Sequence, residues 1–202
     1  MVEKIHRKVR AHSCAPLQII LASASPRRRQ LLRKLGIPFR VMPSHILETS
    51  SHKRPIRLVQ DLALRKAREV AGRLHEGIVL GADTVVVLHG KILGKPRNAK
   101  DAGRMLGRLS GTTHRVYTGV ALVDAARGES VVSYARSDVR MKKIAKEDHR
   151  RLSGRHLDKA GSYAIQEKKD PLARVVKGSY DNVVGLPLST VRALLKKLSR
   201  AV

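Results

Sequence analysis

Apolar runs and segments with helical spacing follow one another along this chain without strict alternation. Leu58, Leu62 and Val70 recur at helical spacing, whereas the residues from Ile78 to Leu88 form the nearly continuous apolar run of a buried strand. The pattern predicts strands at residues 17–22, 38–42, 78–88, 116–123, 131–139, 163–165 and 173–176, and helices at residues 26–36, 55–74, 99–109, 147–152 and 187–198. This mixture favours an α/β fold with a mixed sheet over a doubly wound parallel sheet.

Length and composition indicate one folded unit. The chain has 202 residues, of which 42% are hydrophobic, so it can bury a substantial core of Leu, Val, Ile and Ala. We predict a basic, flexible tail over residues 1–16 because it precedes the first apolar run. Residues 17–202 are then predicted to form a single domain, or two small lobes around a cleft.

Cysteine usage and hydropathy favour a cytoplasmic location. Cys14 is the only cysteine in the sequence, which excludes an internal disulfide and a multi-cysteine metal site. The longest apolar runs are far too short to span a membrane. The first residues carry charge but lack the apolar segment of a signal peptide. We therefore expect no membrane partner.

The net charge predicts attraction to anions but does not distinguish one class of anion from another. Lys and Arg number 42 against 16 Asp and Glu, a formal net charge of +26, so weak, non-specific polyanion binding is expected. One alternative is therefore a basic nucleic-acid-binding protein. Aromatic residues make up only 2% of the chain, which weakens binding to single strands by base stacking.

The segment Ser-Ala-Ser-Pro-Arg-Arg-Arg, which begins at residue 23, has the pattern of a phosphate-binding turn. Ser25 suits a helix N-cap and Pro26 the first helical position. Arg27, Arg28 and Arg29 then stand where the helix dipole is already positive, an unfavourable place unless an anion binds there. Serine hydroxyls and guanidinium groups would hold that anion. The alternative is a solvated arginine cluster.

Four further side chains could take part in chemistry. Asp83 interrupts an apolar strand, so its carboxylate should be paired, bind a metal or have a raised pKa. Lys66 lies one helical turn after buried positions, and Lys95 lies in a Gly-Lys-Pro turn. Gln166 ends a short apolar segment, where its amide could contact a base edge. For each residue taken alone, an ordinary surface or ion-paired role remains open.

Taken together, these segments resemble the Maf family of nucleoside triphosphate pyrophosphatases, also called septum formation proteins. The matching segments are Ser23-Ala24-Ser25-Pro26-Arg27-Arg28, Leu62-Ala63 with Lys66-Ala67, Gly81-Ala82-Asp83-Thr84, Gly94-Lys95-Pro96, Leu109-Ser110-Gly111 with His114, Asp158-Lys159-Ala160-Gly161, Tyr163-Ala164-Ile165-Gln166, and Gly178-Ser179-Tyr180 with Val184-Gly185-Leu186-Pro187-Leu188. Eight segments in order over most of the chain make a specific match.

The resemblance implies a fold related to inosine triphosphatase, with an elongated mixed sheet flanked by helices and a cleft between two lobes. It implies hydrolysis of a nucleoside triphosphate to the monophosphate and pyrophosphate, assisted by Mg²⁺ or Mn²⁺. A homodimer is also implied. The family name associates such proteins with septum formation, a role that no residue tests.

The resemblance also implies roles for individual residues. Ser23 and Ser25 with Arg27 and Arg28 would hold the phosphates. Asp83 would be the general base or a metal-linked carboxylate. The remaining matches to active-site positions are Lys66, Lys95, Gln166 and, for the metal, Glu48.

The segments at residues 163–166 and 178–185 resemble the branch of the family that acts on dTTP and UTP, rather than the branch that prefers 7-methyl-GTP. Two departures from the family pattern stand near the first of these segments. The run Glu167-Lys168-Lys169-Asp170 replaces expected glycines, and it either loosens the base selectivity to admit CTP or a modified pyrimidine or, as we expect, leaves the loop in place with its charges in solvent. Arg155-His156 replaces a common Glu-Pro and removes a carboxylate from the region.

Overall fold

The computed structural model describes residues 18–145, 147, 148, 152, 157, 159–163, 165 and 172–200. The strands are β1 (Ile19–Leu21), β2 (Phe39–Val41), β3 (Ile78–Leu88), β4 (Lys91–Leu93), β5 (Thr113–Asp124), β6 (Ser130–Met141) and β7 (Ala173–Lys177). The helices are α1 (Pro26–Arg33), α2 (Pro55–Ala71), α3 (Ala99–Leu109), α4 (Tyr180–Val184) and α5 (Leu188–Arg200), with a 3₁₀ turn at Ala160–Ser162.

The described strands form one seven-stranded mixed sheet. Its order is β2-β1-β3-β5-β6-β7, and β4 pairs with the far end of β3. β1 runs parallel to β2 and β3, whereas β3, β5, β6 and β7 are antiparallel to their successive neighbours. The mixed α/β fold with a long sheet flanked by helices is therefore confirmed.

The three long strands of the sheet carry different core clusters at their two ends. β3, β5 and β6 have 11 or 12 residues each, so each runs for about 36–40 Å. At one end, Leu80 packs in a cluster with residues of α1 and α5. At the other end, Val86 packs in a second cluster with α3. Asp83 lies on β3 between these two clusters.

Helix α2 covers the opposite face of the sheet, and a glycine lets it approach closely. A Cβ atom on Gly81 would overlap the carbonyl oxygen of Ala63 and lie 2.9 Å from the nitrogen of Ala67. A larger residue would therefore push α2 away from β3. None of the helices in the described residues has the length and apolarity needed to span a bilayer.

Most predicted elements correspond to observed ones, and the exceptions have local causes. β3 and α3 begin and end where the sequence pattern predicts. β4 and α4 were not predicted because the Lys-Ile-Leu sequence of β4 forms no apolar run and the 5 residues of α4 are too few to show a helical period. The tail at residues 1–16 and much of the predicted helix at 147–152 lie outside the described residues.

The predicted strand at residues 163–165 is wrong. Of its described residues, Tyr163 has extended backbone angles (φ −138°, ψ 163°) but belongs to no strand, and Ile165 lies in a turn. Tyr163 is buried in the cluster formed by α3 and the ends of β3, β5 and β6. Its apolar character reflects this packing rather than pairing in the sheet.

Candidate active site

A gap in the pairing of β3 opens the sheet beside Asp83. Along one edge, β1 pairs with β3 as far as Leu80, and β4 pairs with it from Val86. Within the described residues, no strand pairs with this edge between those two positions. Because β1 ends at Leu21, the residues that follow it are free to turn across the gap.

Four charged side chains meet at this gap in alternating order. The ammonium group of Lys66 lies 2.6 Å from Oδ1 of Asp83 and 2.7 Å from Oε1 of Glu48. The second carboxylate oxygen of Glu48, Oε2, lies 2.8 Å from Nζ of Lys95. The result is a chain of contacts from Asp83 through Lys66 and Glu48 to Lys95.

The secondary structure explains why these side chains meet. Asp83 points to the same face as Gly81 because successive strand residues alternate between faces. That face is covered by α2, whose Lys66 is 6% exposed against 7% for Asp83. Each of these buried charges compensates the other, because burying either one without its partner would carry a large desolvation cost.

Glu48 lies in the loop before α2 and is held as an anion. Partial burial alone would favour its neutral acid. Hydrogen bonds from Lys66 and Lys95, together with their charges, outweigh burial and lower the pKa of Glu48 to about 2. Glu48 is therefore a carboxylate at neutral pH.

Arg28 approaches the gap from the other face of the sheet and is fixed at three atoms. Its Nε donates to the carbonyl oxygen of Gly185 at 2.9 Å. Its Nη1 donates to Oγ of Ser23, and its Nη2 donates to Oγ1 of Thr84, both at 3.2 Å. A guanidinium group has five N–H donors, so these three bonds leave two for a ligand.

Charge and burial at Arg28 suit anion binding. Burial lowers the pKa of Arg28, the charges of Asp83 and Glu48 raise it, and the neighbouring charge of Arg27 lowers it again. Arg27 is itself half-buried. An anion between these two guanidinium groups would relieve their repulsion.

The two serines of the turn have different partners. Ser25 caps α1, since its Oγ accepts from the backbone nitrogen of Arg28 at 3.4 Å. Ser23 is 8% exposed, and its Oγ also accepts from the backbone nitrogen of Ser25 at 3.3 Å. The first turn of α1 therefore presents its serines and arginines together beside Asp83.

A buried polar network supports Arg28 from behind. Oγ1 of Thr84 lies 3.0 Å from Oγ1 of Thr118, which donates to the carbonyl oxygen of Asn182 at 2.9 Å. The side-chain nitrogen of Asn182 donates to the carbonyl oxygen of Val116 at 3.2 Å. This network joins the gap in β3 to helix α4.

Comparison with known proteins identifies the family. A family model described as Maf-like protein matches residues 18–198. The chain belongs to the Maf family. The match confirms the resemblance drawn from the motifs.

Curated relatives align with this chain over nearly their whole length. A protein named dTTP/UTP pyrophosphatase from Moorella thermoacetica is 49% identical over 181 residues, which cover 88% of this chain and 93% of the relative. A protein of the same name from Pelotomaculum thermopropionicum is 45% identical over 183 residues, with coverage of 89% and 96%.

One solved structure has a similar fold at low sequence identity. The Staphylococcus aureus Ham1 protein superposes with a TM-score of 0.54 at 13% identity and covers 89% of this chain and 98% of its own. This likeness concerns the fold alone.

The Maf motifs contain structural residues to which sequence reasoning assigned no role. Thr84 and Gly185 both bind Arg28, and each lies in a segment that carries the resemblance. Gly185 ends α4 with a φ of 115°, a conformation that favours glycine. A Cβ atom there would also lie 3.3 Å from Oγ1 of Thr84.

One predicted site residue, Gln166, lies outside the described residues. Tyr163, three positions earlier, is buried and its hydroxyl lies 2.6 Å from Nε2 of His114. Burial lowers the pKa of His114 to about 4 and raises the pKa of Tyr163. The contact attaches the start of the Gln166 segment to β5.

Proposed function

We propose that this protein hydrolyses dTTP and UTP to the monophosphate and pyrophosphate at the gap in β3. The observation that carries this proposal is the meeting of Arg28 and Ser23 from one face with Asp83, Lys66, Glu48 and Lys95 from the other. Both relatives described above have the name dTTP/UTP pyrophosphatase. The site contains the cations and carboxylates that cleavage of a phosphoanhydride needs.

The cations bind and orient the triphosphate in this proposal. Arg28 has two N–H donors left after its three protein contacts, and it is aimed by Thr84 and Gly185. Arg27, Ser23 and Lys95 add charge and hydrogen bonds around the same anion. Since phosphoryl transfer depends mainly on positioning and charge stabilisation, rigid support of Arg28 contributes directly to the rate.

Asp83 acts as the general base. Its Oδ1 accepts a hydrogen bond from Lys66, which holds the carboxylate in place. Asp83 takes a proton from a water molecule as the water oxygen bonds to one of the two phosphorus atoms that share the α–β bridging oxygen. The bond from that phosphorus to the bridging oxygen breaks, the bridging oxygen leaves with the other phosphate, and the products are the monophosphate and pyrophosphate.

Glu48 and Asp83 fit a divalent cation with oxygen ligands. Mg²⁺ commonly binds through one or two carboxylates, with phosphates and water completing its shell. Within the described residues, no group of three or more His, Cys, Asp or Glu side chains could hold a metal by itself. Mg²⁺ or Mn²⁺ would neutralise phosphate charge there, and Lys66 would shift from one or both carboxylates.

Product analysis tests the reaction. Phosphorus NMR of dTTP turnover should show pyrophosphate and the monophosphate as first products. Orthophosphate with the diphosphate would overturn the proposed bond. Turnover should stop when a chelator removes divalent cations and return when Mg²⁺ or Mn²⁺ is added.

Competition among nucleotides tests the base preference. With dTTP, UTP, CTP and 7-methyl-GTP at one metal concentration, dTTP and UTP should have the highest kcat/KM. Preference for CTP would indicate that the charged residues 167–170 alter the base pocket. Preference for 7-methyl-GTP would overturn the assignment to the dTTP/UTP branch and leave the pyrophosphatase reaction standing.

The homodimer, the cytoplasmic location and the link to septum formation remain predictions of the family resemblance and the composition. Sedimentation velocity of the purified protein tests the first of them. A single species of 22.3 kDa would contradict the homodimer.

A further inference from the structure

The helices of this protein differ in how their positive charges are balanced. On α2, Arg65 pairs with Asp61 at 3.6 Å, and Glu69 pairs with Arg73, two residues beyond the end of the helix, at 3.3 Å. On α3, Asp101 lies 3.5 Å from Arg104. These helices therefore carry mixed charge.

Helices α1 and α5 carry only positive charge. Residues 26–37 and 188–200 contain no Asp or Glu. The exposed cations at the C-terminal end of α1, including its cap residue, and on α5 are Arg33, Lys34, Arg192, Lys196, Lys197 and Arg200. Leu31 and Leu32 of α1 pack in the same core cluster as Leu194 and Leu198 of α5, so both helices cover one face of the sheet. We call these six cations the basic helical surface.

No carboxylate compensates these charges within the part of the chain that the structure describes. None of the six cations takes part in an ion pair there. Asp181, on the neighbouring helix α4, accepts instead from the backbone nitrogens of Leu188 and Asn182 at 2.6 and 3.1 Å. The basic helical surface therefore faces solvent with its charge unbalanced.

The chemistry of this surface selects among polyanions. The exposed large hydrophobic residues among those described are Leu47, Tyr134, Leu157, Val176 and Tyr180, none of which lies on α1 or α5. A helix that inserts into a membrane surface needs an apolar face toward the lipid, and the apolar side of α5 is buried in the core. Binding to single strands needs aromatic platforms, which these two helices lack.

We propose that the basic helical surface binds the phosphate backbone of double-stranded nucleic acid without sequence preference. The segment from Arg192 to Arg200 spans about 12 Å along α5. Measured along the axis of a duplex, this length corresponds to three or four phosphates of one strand. Lysine and arginine contacts to phosphate supply affinity but carry no sequence information. This binding is separate from the proposed pyrophosphatase activity.

The test compares two variants with the same net charge. One is Arg192→Gln, Lys196→Gln and Lys197→Gln on α5. Its control is Lys100→Gln, Arg104→Gln and Arg108→Gln on α3, whose three cations are also exposed. Fluorescence anisotropy with a random 30-base-pair DNA duplex, from 50 to 200 mM salt, measures affinity and its salt dependence for each full-length protein.

The α5 variant should bind the duplex at least about tenfold more weakly than the original protein. The plot of its log K against log salt should be less steep, with a slope smaller in magnitude by about three. The α3 variant should bind as the original protein does. Equal weakening in both variants would show that net charge alone drives binding and would overturn the proposal. Absence of duplex binding at 50 mM salt would also overturn it.

Two further arms complete the test. Phosphatidylserine vesicles replace the duplex in one, and tighter binding to vesicles with the same α5 dependence would assign the surface to membranes instead. Unchanged dTTP turnover and melting temperature show that a variant is folded. If the triple α5 variant does not fold, Lys196→Glu alone must weaken duplex binding while Lys100→Glu does not, or the proposal fails.

Discussion

At the scale of single residues, the site depends on the alternation of charge from Asp83 through Lys66 and Glu48 to Lys95. Lys66 and Asp83 are both nearly buried, and their ion pair measures 2.6 Å. Removing one member of such a pair leaves a buried charge without compensation, at a cost of about 3–5 kcal/mol. If Asp83 is the residue removed, this cost is smaller because Lys66 keeps its ion pair with Glu48.

Asp83→Asn should abolish turnover of dTTP while the protein still binds the nucleotide. The asparagine removes the base and also removes negative charge that repels the phosphates. Steady-state rates and nucleotide titration measure the two effects. A rate above a tenth of the original, a loss below about 1.4 kcal/mol, would show that Asp83 is not the base. Asp101→Asn on α3 is the control and should leave the rate unchanged.

Thr84→Val should reduce kcat/KM for dTTP by about ten- to a hundredfold, the cost of one hydrogen bond to a charged group. The valine keeps the side-chain shape but removes the acceptor that holds Nη2 of Arg28. Measured kcat and KM test this expectation, with Thr113→Val at an exposed position of β5 as the control. Equal kinetics in both variants would mean that the contact to Thr84 does not position Arg28.

At the scale of elements, the approach of α2 to β3 decides whether Lys66 reaches Asp83. The two elements touch at Gly81, where α2 presents the backbone of Ala63 and Ala67 to the strand. Gly81 lies two residues before Asp83 on the same face, so the close contact and the ion pair belong to one packing arrangement. A shift of α2 would therefore change stability and activity together.

Gly81→Ala should destabilise the fold by about 1–3 kcal/mol, the usual cost of an added methyl group in a packed core, and should also slow turnover. Urea unfolding and dTTP hydrolysis measure the two effects. Gly72→Ala is a matched control at the end of α2, where φ is −62° and an added Cβ lies 3.5 Å from its nearest neighbour. If Gly81→Ala unfolds at the same urea concentration as Gly72→Ala, α2 does not pack against β3 at Gly81 as closely as the structure shows.

At the scale of the whole molecule, stability should fall between about pH 6.5 and pH 4 because of His114. Burial lowers its pKa from 6.5 to about 4 in the folded protein. The unfolded chain therefore binds this proton first as the pH falls, and the fold loses up to about 3 kcal/mol across that interval. Glu48 extends the loss from pH 4.5 toward its folded pKa of about 2.

Urea unfolding at several pH values, compared between the original protein and His114→Gln, measures the slope that His114 contributes. The variant should show a flatter dependence between pH 6.5 and 4.5, where Glu48 does not yet contribute. His75→Gln, at an exposed position, should keep the original slope. An unchanged slope in His114→Gln would exclude His114 as the group responsible.

Deleting residues 1–13 should leave kcat for dTTP nearly unchanged. These residues precede β1 and fall outside the family match, which begins at residue 18. Initial rates of the shortened protein test the prediction. A large loss of kcat would show that the tail contributes to the site and that the domain begins earlier.

Local sequence determined the larger elements and the chemistry of the site. An apolar run of 11 residues made β3 predictable, and Asn98, whose side chain caps α3, marked where that helix begins. Asp83 stood out because a carboxylate in an apolar strand needs a partner. These signals depend on neighbours in the chain, which a single sequence shows directly.

Tertiary structure decided which partners meet. Glu48 reaches Lys66 across 18 positions, and Arg28 reaches Gly185 across 157. The apolar residues predicted as a strand at 163–165 begin with Tyr163, which is buried against His114 without pairing in the sheet. An apolar run can be buried in a core whatever its backbone conformation. Such contacts arise when distant elements pack together, and their free energy depends on burial and distances that exist only in the folded chain.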